Sequence, residues 1–216
     1  MKRGLIITGG TLDLGFAGDF LKEQSFDRVI AADAGLKQAE ALGLTPDLIV
    51  GDFDTVEPEV LSRFRAREHI VWDVHQPEKD ETDTELALGK AMALGCGEIV
   101  ILGATGGRAD HMMGNVQLLY QCLQKGVFAC LLDPQNKIYL LDGAREYRKS
   151  EVWGKYISFL PLTERVFGIT LEGFKYPLTD RDIEIGTSLC ISNELVQETG
   201  RIEIRDGVLV CVESHD

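Results

Sequence analysis

The chain has 216 residues, 44% of them apolar, which is long for one compact domain and comfortable for two small ones with real cores. Its formal charge of −13 argues against nucleic acid and against an anionic membrane surface as partner, because neither attracts a field of that sign. A small anionic substrate that arrives with its own metal stays compatible with that charge.

Cys96, Cys122, Cys130, Cys190 and Cys211 are odd in number, scattered and free of metal-ligand spacing. Buried reduced thiols are expected, and a structural zinc site is not. Met1-Lys2-Arg3-Gly4 runs straight into a short strand-like segment without a secretory apolar stretch, and no apolar run approaches a membrane span. A cytoplasmic protein is expected.

In chain order, Leu5-Ile6-Ile7 and then Thr8-Gly9-Gly10-Thr11 read as a buried strand and a glycine turn, a place where backbone N–H groups reach a phosphate. The turn is neither a full dinucleotide fingerprint nor a Walker loop. Val29 to Ala32 form a second strand that ends at Asp33, and Leu36, Ala39 and Leu42 mark a helix stopped by Gly43. Asp33 is either that helix's N-cap or part of a ligand site.

Pro46 to Asp54 is an apolar strand ending in two carboxylates, Asp52 and Asp54. If extended geometry persists through Phe53 they point the same way and disfavour each other's ionisation, a conflict that a hard divalent cation removes. Asp52→Asn is therefore expected to leave the fold intact. Pro58 opens a helix carrying Val60, Leu61 and Phe64, and His69 to Val74 make the next strand. Thr82 and Glu85 have capping-box spacing, which puts Asp83 in the first turn of a helix. That helix does not account for Lys79 and Asp80 just ahead of it.

Glu98 to Leu102 is another apolar strand, followed by Gly103, Gly106 and Gly107, which let backbone approach a ligand, and by Arg108, whose fork of donors suits phosphate. The next helix carries Met112, Met113, Val116, Leu119 and Leu123 as a core stripe. Gly114 and Asn115, poor helix formers, predict close packing or a polar contact. Val127 to Leu132 and Lys137 to Leu141 are two further strands.

Strands alternating with helices predict a doubly wound, mostly parallel α/β domain over residues 1–142, with its ligand site at the carboxyl ends of the strands. Over residues 143–216 the pattern becomes short extended runs: Glu146 to Lys149, Lys155 to Leu160, Val166 to Leu171, Ser188 to Ile191, Arg201 to Arg205 and Val208 to Val212. These predict a small all-β sandwich, its last two strands joined as a hairpin at Asp206-Gly207.

Four motifs, in this order, resemble the thiamine pyrophosphokinase family: Gly51-Asp52-Phe53-Asp54; Lys79-Asp80-Glu81-Thr82-Asp83; Gly106-Gly107-Arg108-Ala109-Asp110-His111 with Asn115; and Ser192-Asn193. The resemblance implies transfer of the pyrophosphoryl group of ATP to the thiamine hydroxyl, giving thiamine diphosphate and AMP. It implies a homodimer whose α/β domain binds ATP with Mg2+ and whose β-sandwich helps to form the thiamine pocket at the subunit interface. By position, Asp52, Asp54 and Asp83 are the implied Mg2+ ligands, with Asp80 beside them and Asp110 completing the catalytic carboxylates. Arg108 and Asp110, together with Asp33, Thr84, Thr105 and His111, are the implied ATP site, and Ser192 and Asn193 the implied thiamine site.

The base that accepts the hydroxyl proton stays open among Asp80, Asp83 and Asp110. No aromatic residue follows Tyr176, so a stacking platform for the thiamine ring comes from elsewhere, Trp153 for example, or is aliphatic. No Ser-His-Asp pattern or reactive cysteine setting competes for the chemistry. Three alternatives remain: a pyrophosphokinase for another heterocyclic alcohol such as a hydroxymethyl pterin, a non-catalytic ATP sensor, and a metal phosphoesterase.

Overall fold

The computed structural model describes residues 1–216, which divide into two compact units, Met1–Pro134 and Gln135–Asp216. In the first unit, β1 (Lys2–Ile7), α1 (Leu14–Glu23), β2 (Arg28–Ala32), α2 (Gly35–Ala41), β3 (Leu48–Gly51) and α3 (Pro58–Arg65) are followed by β4 (Val71–Val74), α4 (Asp83–Ala93), β5 (Cys96–Leu102), α5 (Ala109–Gln124) and β6 (Phe128–Leu132). The strands lie in the order β4-β3-β2-β1-β5-β6, and every pairing among them is parallel. The chain winds outward from β1 in one direction through β4 and then restarts on β1's other side with β5. This reversal leaves a crevice at the carboxyl ends of β1 and β5, where an open α/β sheet binds ligands.

Leu5, Ile6, Ile7, Ile30, Ile49, Ile99 and Ile101 are buried on the central strands, as continuous apolar runs covered on both faces require. α1 has no counterpart among the sequence expectations. Its signal is local: Asp13 is the N-cap and accepts a hydrogen bond from the Phe16 N–H at 2.9 Å. No helix is long and apolar enough to cross a membrane.

The second unit holds β7 (Asn136–Leu141), β8 (Arg145–Arg148), β9 (Tyr156–Pro161), β10 (Arg165–Glu172), β11 (Leu178–Glu184), β12 (Thr199–Glu203) and β13 (Leu209–Ser214). It starts before β7 because β7 pairs antiparallel with the C-terminal strand β13, which in turn pairs with β9. A second antiparallel sheet runs β11-β10-β12-β8. Rings from both sheets fill the sandwich core: Tyr147 meets Phe159 and Phe174 edge-on at 6.1 and 6.0 Å, and Phe159 meets Phe174 at 5.8 Å.

Two expectations for this unit change. Ser188 to Ile191 form a turn, and the strand at that stage is β11, whose charged run Thr179-Asp180-Arg181-Asp182 lies exposed at the sheet edge. The Asp206-Gly207 turn joins strands of different sheets and is not a hairpin. The β10 backbone claims this turn, because the Phe167 N–H donates to the Asp206 carbonyl and the Arg205 N–H donates to the Phe167 carbonyl. Gly207 is obligatory there: its φ is +99°, and a Cβ would lie 2.7 Å from the Arg165 carbonyl.

A polar chain is sealed into the sandwich. Glu213, 2% exposed, accepts from the Tyr139 hydroxyl at 2.8 Å and from the Trp153 N–H at 2.8 Å, and the Tyr139 hydroxyl also meets that of Tyr147 at 2.8 Å. Arg145 lies over both tyrosine rings. Removing a donor from a buried carboxylate exposes its desolvation cost. Tyr139→Phe should therefore lower unfolding free energy by about 1–3 kcal/mol in urea titrations, whereas the same change at exposed Tyr120 should not.

Candidate active site

A cleft of about 690 Å³ opens at the carboxyl ends of the parallel strands. Its walls are the turn after β1 (Thr8 to Thr11), Asp33 after β2, Asp52 and Thr55 after β3, Lys79 and Asp83 before and in α4, and Gly103, Ala104, Gly106, Gly107 and Arg108 after β5. The turns after β1 and β5 meet backbone to backbone, so that a Cβ on Gly10 would fall 2.2 Å from the Gly103 carbonyl. Asn115 closes the floor from α5, donating to the Ala104 carbonyl at 2.9 Å, which is the polar contact expected of it.

Three carboxylates converge at one end. One oxygen from each of Asp33, Asp52 and Asp54 lies within 4.8 Å of the other two. Asp52 and Asp54 do not meet by strand alternation, as expected from the sequence, because β3 ends at Gly51 and Phe53 takes φ +63°. The chain instead turns back on itself. The Asp54 N–H donates to Asp52 Oδ1 at 3.2 Å, and the Phe53 ring is buried edge-on against Trp72. Asp33 is not a helix cap either, since α2 begins without a side-chain cap. It sits at φ +45°, its N–H bound to the Val50 carbonyl at 2.8 Å and its Oδ2 accepting from Thr55 at 2.9 Å. Non-glycine residues at such angles cost on the order of 1–3 kcal/mol each and persist only where surrounding structure enforces them.

The electrostatics separate the three acids. The Asp54 N–H is the largest influence on Asp52 and, with Lys79, holds its carboxyl below the usual range against the opposing effect of burial. The repulsion of Asp52 pushes the Asp54 carboxyl up, with burial and Asp33 adding to it. Asp33 Oδ1 is buried and has no hydrogen-bond partner. A set of hard oxygen donors, one raised by like-charge repulsion and one holding an unsatisfied buried oxygen, fits Mg2+.

Asp83, the third expected metal ligand, faces this cluster from α4 but spends Oδ1 on Lys79, whose ammonium lies 2.9 Å from it and 3.5 Å from Asp52 Oδ2. Burial pulls the Lys79 pKa down, yet contact with Asp83 and then Asp52 outweighs it, so the net direction is up. The carboxylate cluster is thus Asp33, Asp52 and Asp54, with Asp83 one lysine away. Asp33 escapes the sequence reading of the metal set because a capping aspartate has the same signature. Lys79 stands in a visible motif, but its role needs the fold.

Of the other expected residues, Thr84, Arg108 and His111 line the cleft, while Asp80, Thr105 and Asp110 do not. Asp110 makes a two-point pair with Arg108, at 3.1 and 2.6 Å, which lowers its carboxyl to about 2. Ser192 and Asn193 belong to the second unit. The Asn193 side chain is consumed structurally: Oδ1 accepts from the Tyr176 and Glu194 N–H groups and Nδ2 donates to the Tyr176 carbonyl. Ser192 is exposed at φ +56°. All five cysteines are free and buried, and burial raises Cys122 to about 11 and Cys211 to about 12, so they are packing groups.

Comparison with known proteins agrees with this architecture. Residues 21–131 match "Thiamin pyrophosphokinase, catalytic domain" and residues 146–209 match "Thiamin pyrophosphokinase, vitamin B1 binding domain". The chain belongs to the thiamin pyrophosphokinase family. It is 39% identical over 188 residues to the thiamine pyrophosphokinase of Bacillus subtilis, with 87% of each chain covered. The crystal structure of the Bacillus subtilis protein superposes with a TM-score of 0.89 at 34% identity over the whole of both chains. Yeast thiamin pyrophosphokinase, only 17% identical, shares the fold at a TM-score of 0.81 over 99% of this chain and 86% of its own.

The electrostatics change what the acid variants of this family member should do without ligand. The Asp52 carboxyl is held low, so its ionised form stabilises the fold above the ordinary aspartate range, and this is lost as pH falls through the native value. Asp54 is held high, so its ionised form is penalised as pH rises through the native value. Asp52→Asn should therefore lower the urea midpoint at neutral pH, contrary to the expectation from repulsion alone, while Asp54→Asn should leave it equal or higher. At Gly51 a Cβ would lie 3.1 Å from Asp33 atoms at φ +149°. Gly51→Ala should cost roughly 1–3 kcal/mol in the same titration and abolish Mg2+-dependent stabilisation.

Proposed function

We propose that this chain transfers the pyrophosphoryl group of ATP to the hydroxyl of thiamine, forming thiamine diphosphate and AMP. The observation that carries the reading is the Asp33, Asp52 and Asp54 cluster, set at a strand-end cleft that is also lined by glycine turns. The reaction forms a bond from the thiamine oxygen to the β-phosphorus of ATP and breaks the bond between that phosphorus and the oxygen bridging to the α-phosphate. AMP leaves with the bridging oxygen, and the hydroxyl proton is lost. Chemistry of this kind needs positioning and charge neutralisation rather than a covalent protein intermediate.

Asp33, Asp52 and Asp54 would hold Mg2+, which when bound neutralises and orients the polyphosphate. Arg108 is mostly exposed, and its present partner Asp110 offers the two-oxygen edge that a phosphate also offers. Exposed ion pairs are weak, so Arg108 can exchange Asp110 for a phosphate at little cost. Among candidates for proton acceptance, Asp110 is a poor base, because Arg108 holds its carboxyl at about 2. Asp83 lines the cleft and Asp80 does not, which favours Asp83.

We assign thiamine recognition to the Ser192-Asn193 turn, with Ser192 offering its hydroxyl and Asn193 shaping the backbone around it. The working form is a homodimer, a reading supported by the exposed apolar side chains of Ile185, Leu189, Ile191 and Val196 in the second unit. Five buried free thiols suit a reducing compartment, in keeping with a cytoplasmic enzyme.

Incubation with ATP, Mg2+ and thiamine should yield AMP in step with thiamine diphosphate. ADP as the product, or nucleotide turnover indifferent to thiamine, would overturn the reading. Mg2+ with α,β-methylene-ATP should raise the melting temperature of the wild type by ligand linkage and raise that of Arg108→Ala much less. Equal shifts would remove Arg108 from the site. Light scattering on a sizing column should give twice the 23.9 kDa chain mass, and a monomer would exclude the homodimer.

A further inference from the structure

Lys79 and Arg108 both line the cleft, but they are placed very differently. The Arg108 side chain is 73% exposed and bound to an acid outside the cleft lining. The Lys79 side chain is 13% exposed and its ammonium is lodged between Asp52 and Asp83, 3.5 and 2.9 Å away. It therefore neutralises a carboxylate that also belongs to the Asp33, Asp52 and Asp54 cluster. A lysine ammonium is a compact point charge on a flexible stem, able to move from one anion to another a few ångströms away. Asp52 cannot give its full charge to a metal while that ammonium remains beside it.

We propose that Lys79 is a built-in counter-charge that Mg2+ must displace from Asp52 and that the polyphosphate of ATP then takes up, so that metal and nucleotide bind cooperatively. The proposal rests on the metal reading of the acid cluster. Free Mg2+ meets opposition from an ammonium whose only other carboxylate contact is Asp83. Mg2+ arriving with a polyphosphate brings the anion that accepts the displaced charge. Each ligand thus improves the site for the other, and linkage makes the gain equal in both directions. Lys79 is accordingly a positioning residue that acts through the metal ligand Asp52, and it discourages a free cation from occupying the cleft without substrate.

Calorimetric titration of Mg2+ into the full-length protein, with and without saturating α,β-methylene-ATP, tests this without turnover. In the wild type the analogue should tighten Mg2+ binding. Lys79→Gln should bind Mg2+ alone about tenfold more tightly than the wild type and lose about tenfold of the enhancement by the analogue. Lys79→Arg, which keeps the charge, should retain the wild-type pattern. Lys79→Met, which keeps the apolar stem, replaces the glutamine variant should circular dichroism show the latter unfolded. Unchanged or weaker Mg2+ binding in the neutral variants would overturn the proposal while leaving the metal site standing. Absence of Mg2+ binding in every protein, even with the analogue, would overturn both.

Discussion

The molecule has to hold like charges together. Asp33, Asp52 and Asp54 sit at the ends of adjacent strands with their oxygens within 4.8 Å, in a protein whose net charge is already −13. Each acid is restrained by a different device. Asp52 takes a backbone N–H and an ammonium, Asp33 takes a threonine hydroxyl, and Asp54 is left exposed to water and bears the repulsion. The strained angles at Asp33 and Phe53 and the glycine at position 51 follow from bringing the ends of β2 and β3 this close. Burial of the Phe53 ring against Trp72 anchors the turn that the charges alone would spread.

A chain with this charge repels ATP at long range, yet the family to which it belongs takes ATP as co-substrate. The two facts are compatible because exposed charges are screened beyond roughly 8 Å at physiological salt, whereas partly buried ones are not. Short-range interactions inside the cleft then outweigh the global charge, and its lining carries Lys79, the backbone of the glycine turns and Arg108. A global excess of acid combined with locally placed cations penalises polyanions that cannot enter the cleft, nucleic acid among them.

Most of the first unit was legible because parallel strands covered on both faces read as unbroken apolar runs, and β1, β2, β3, β5 and β6 are such runs. β11 was hidden for the opposite reason: an edge strand carrying Asp180, Arg181 and Asp182 has the composition of a loop, and only pairing with β10 makes it a strand. The Asp206-Gly207 turn shows a local signal yielding to tertiary structure. Asp-Gly states that the chain turns, and the capture of that turn by Phe167 decides which sheet it enters. In the site, aspartates with one residue between them are visible in sequence, whereas Asp33 carries the same signature as a helix cap and Lys79 stands in a visible motif whose ion pairs with Asp52 and Asp83 need the fold.

The motif residues also divide by chemistry in a way that sequence resemblance does not express. Asp52 and Arg108 have donor or acceptor capacity turned toward the cleft, which a ligand can use. Asn193 has little left, making three hydrogen bonds from its side chain while only 2% exposed, whereas Asn115 spends one donor on the Ala104 carbonyl and itself lines the cleft. Asn193 is an amide clasp that fixes the backbone of Tyr176 and, with the Ser158 hydroxyl accepting from the Ser192 N–H, holds Ser192 in its left-handed conformation. Aspartate could copy the Oδ1 half of this clasp but lacks the donor that Nδ2 supplies, and glutamine would displace both by one methylene. Asparagine at this position thus meets a geometric requirement of the turn, fixing the backbone that presents Ser192 at the surface.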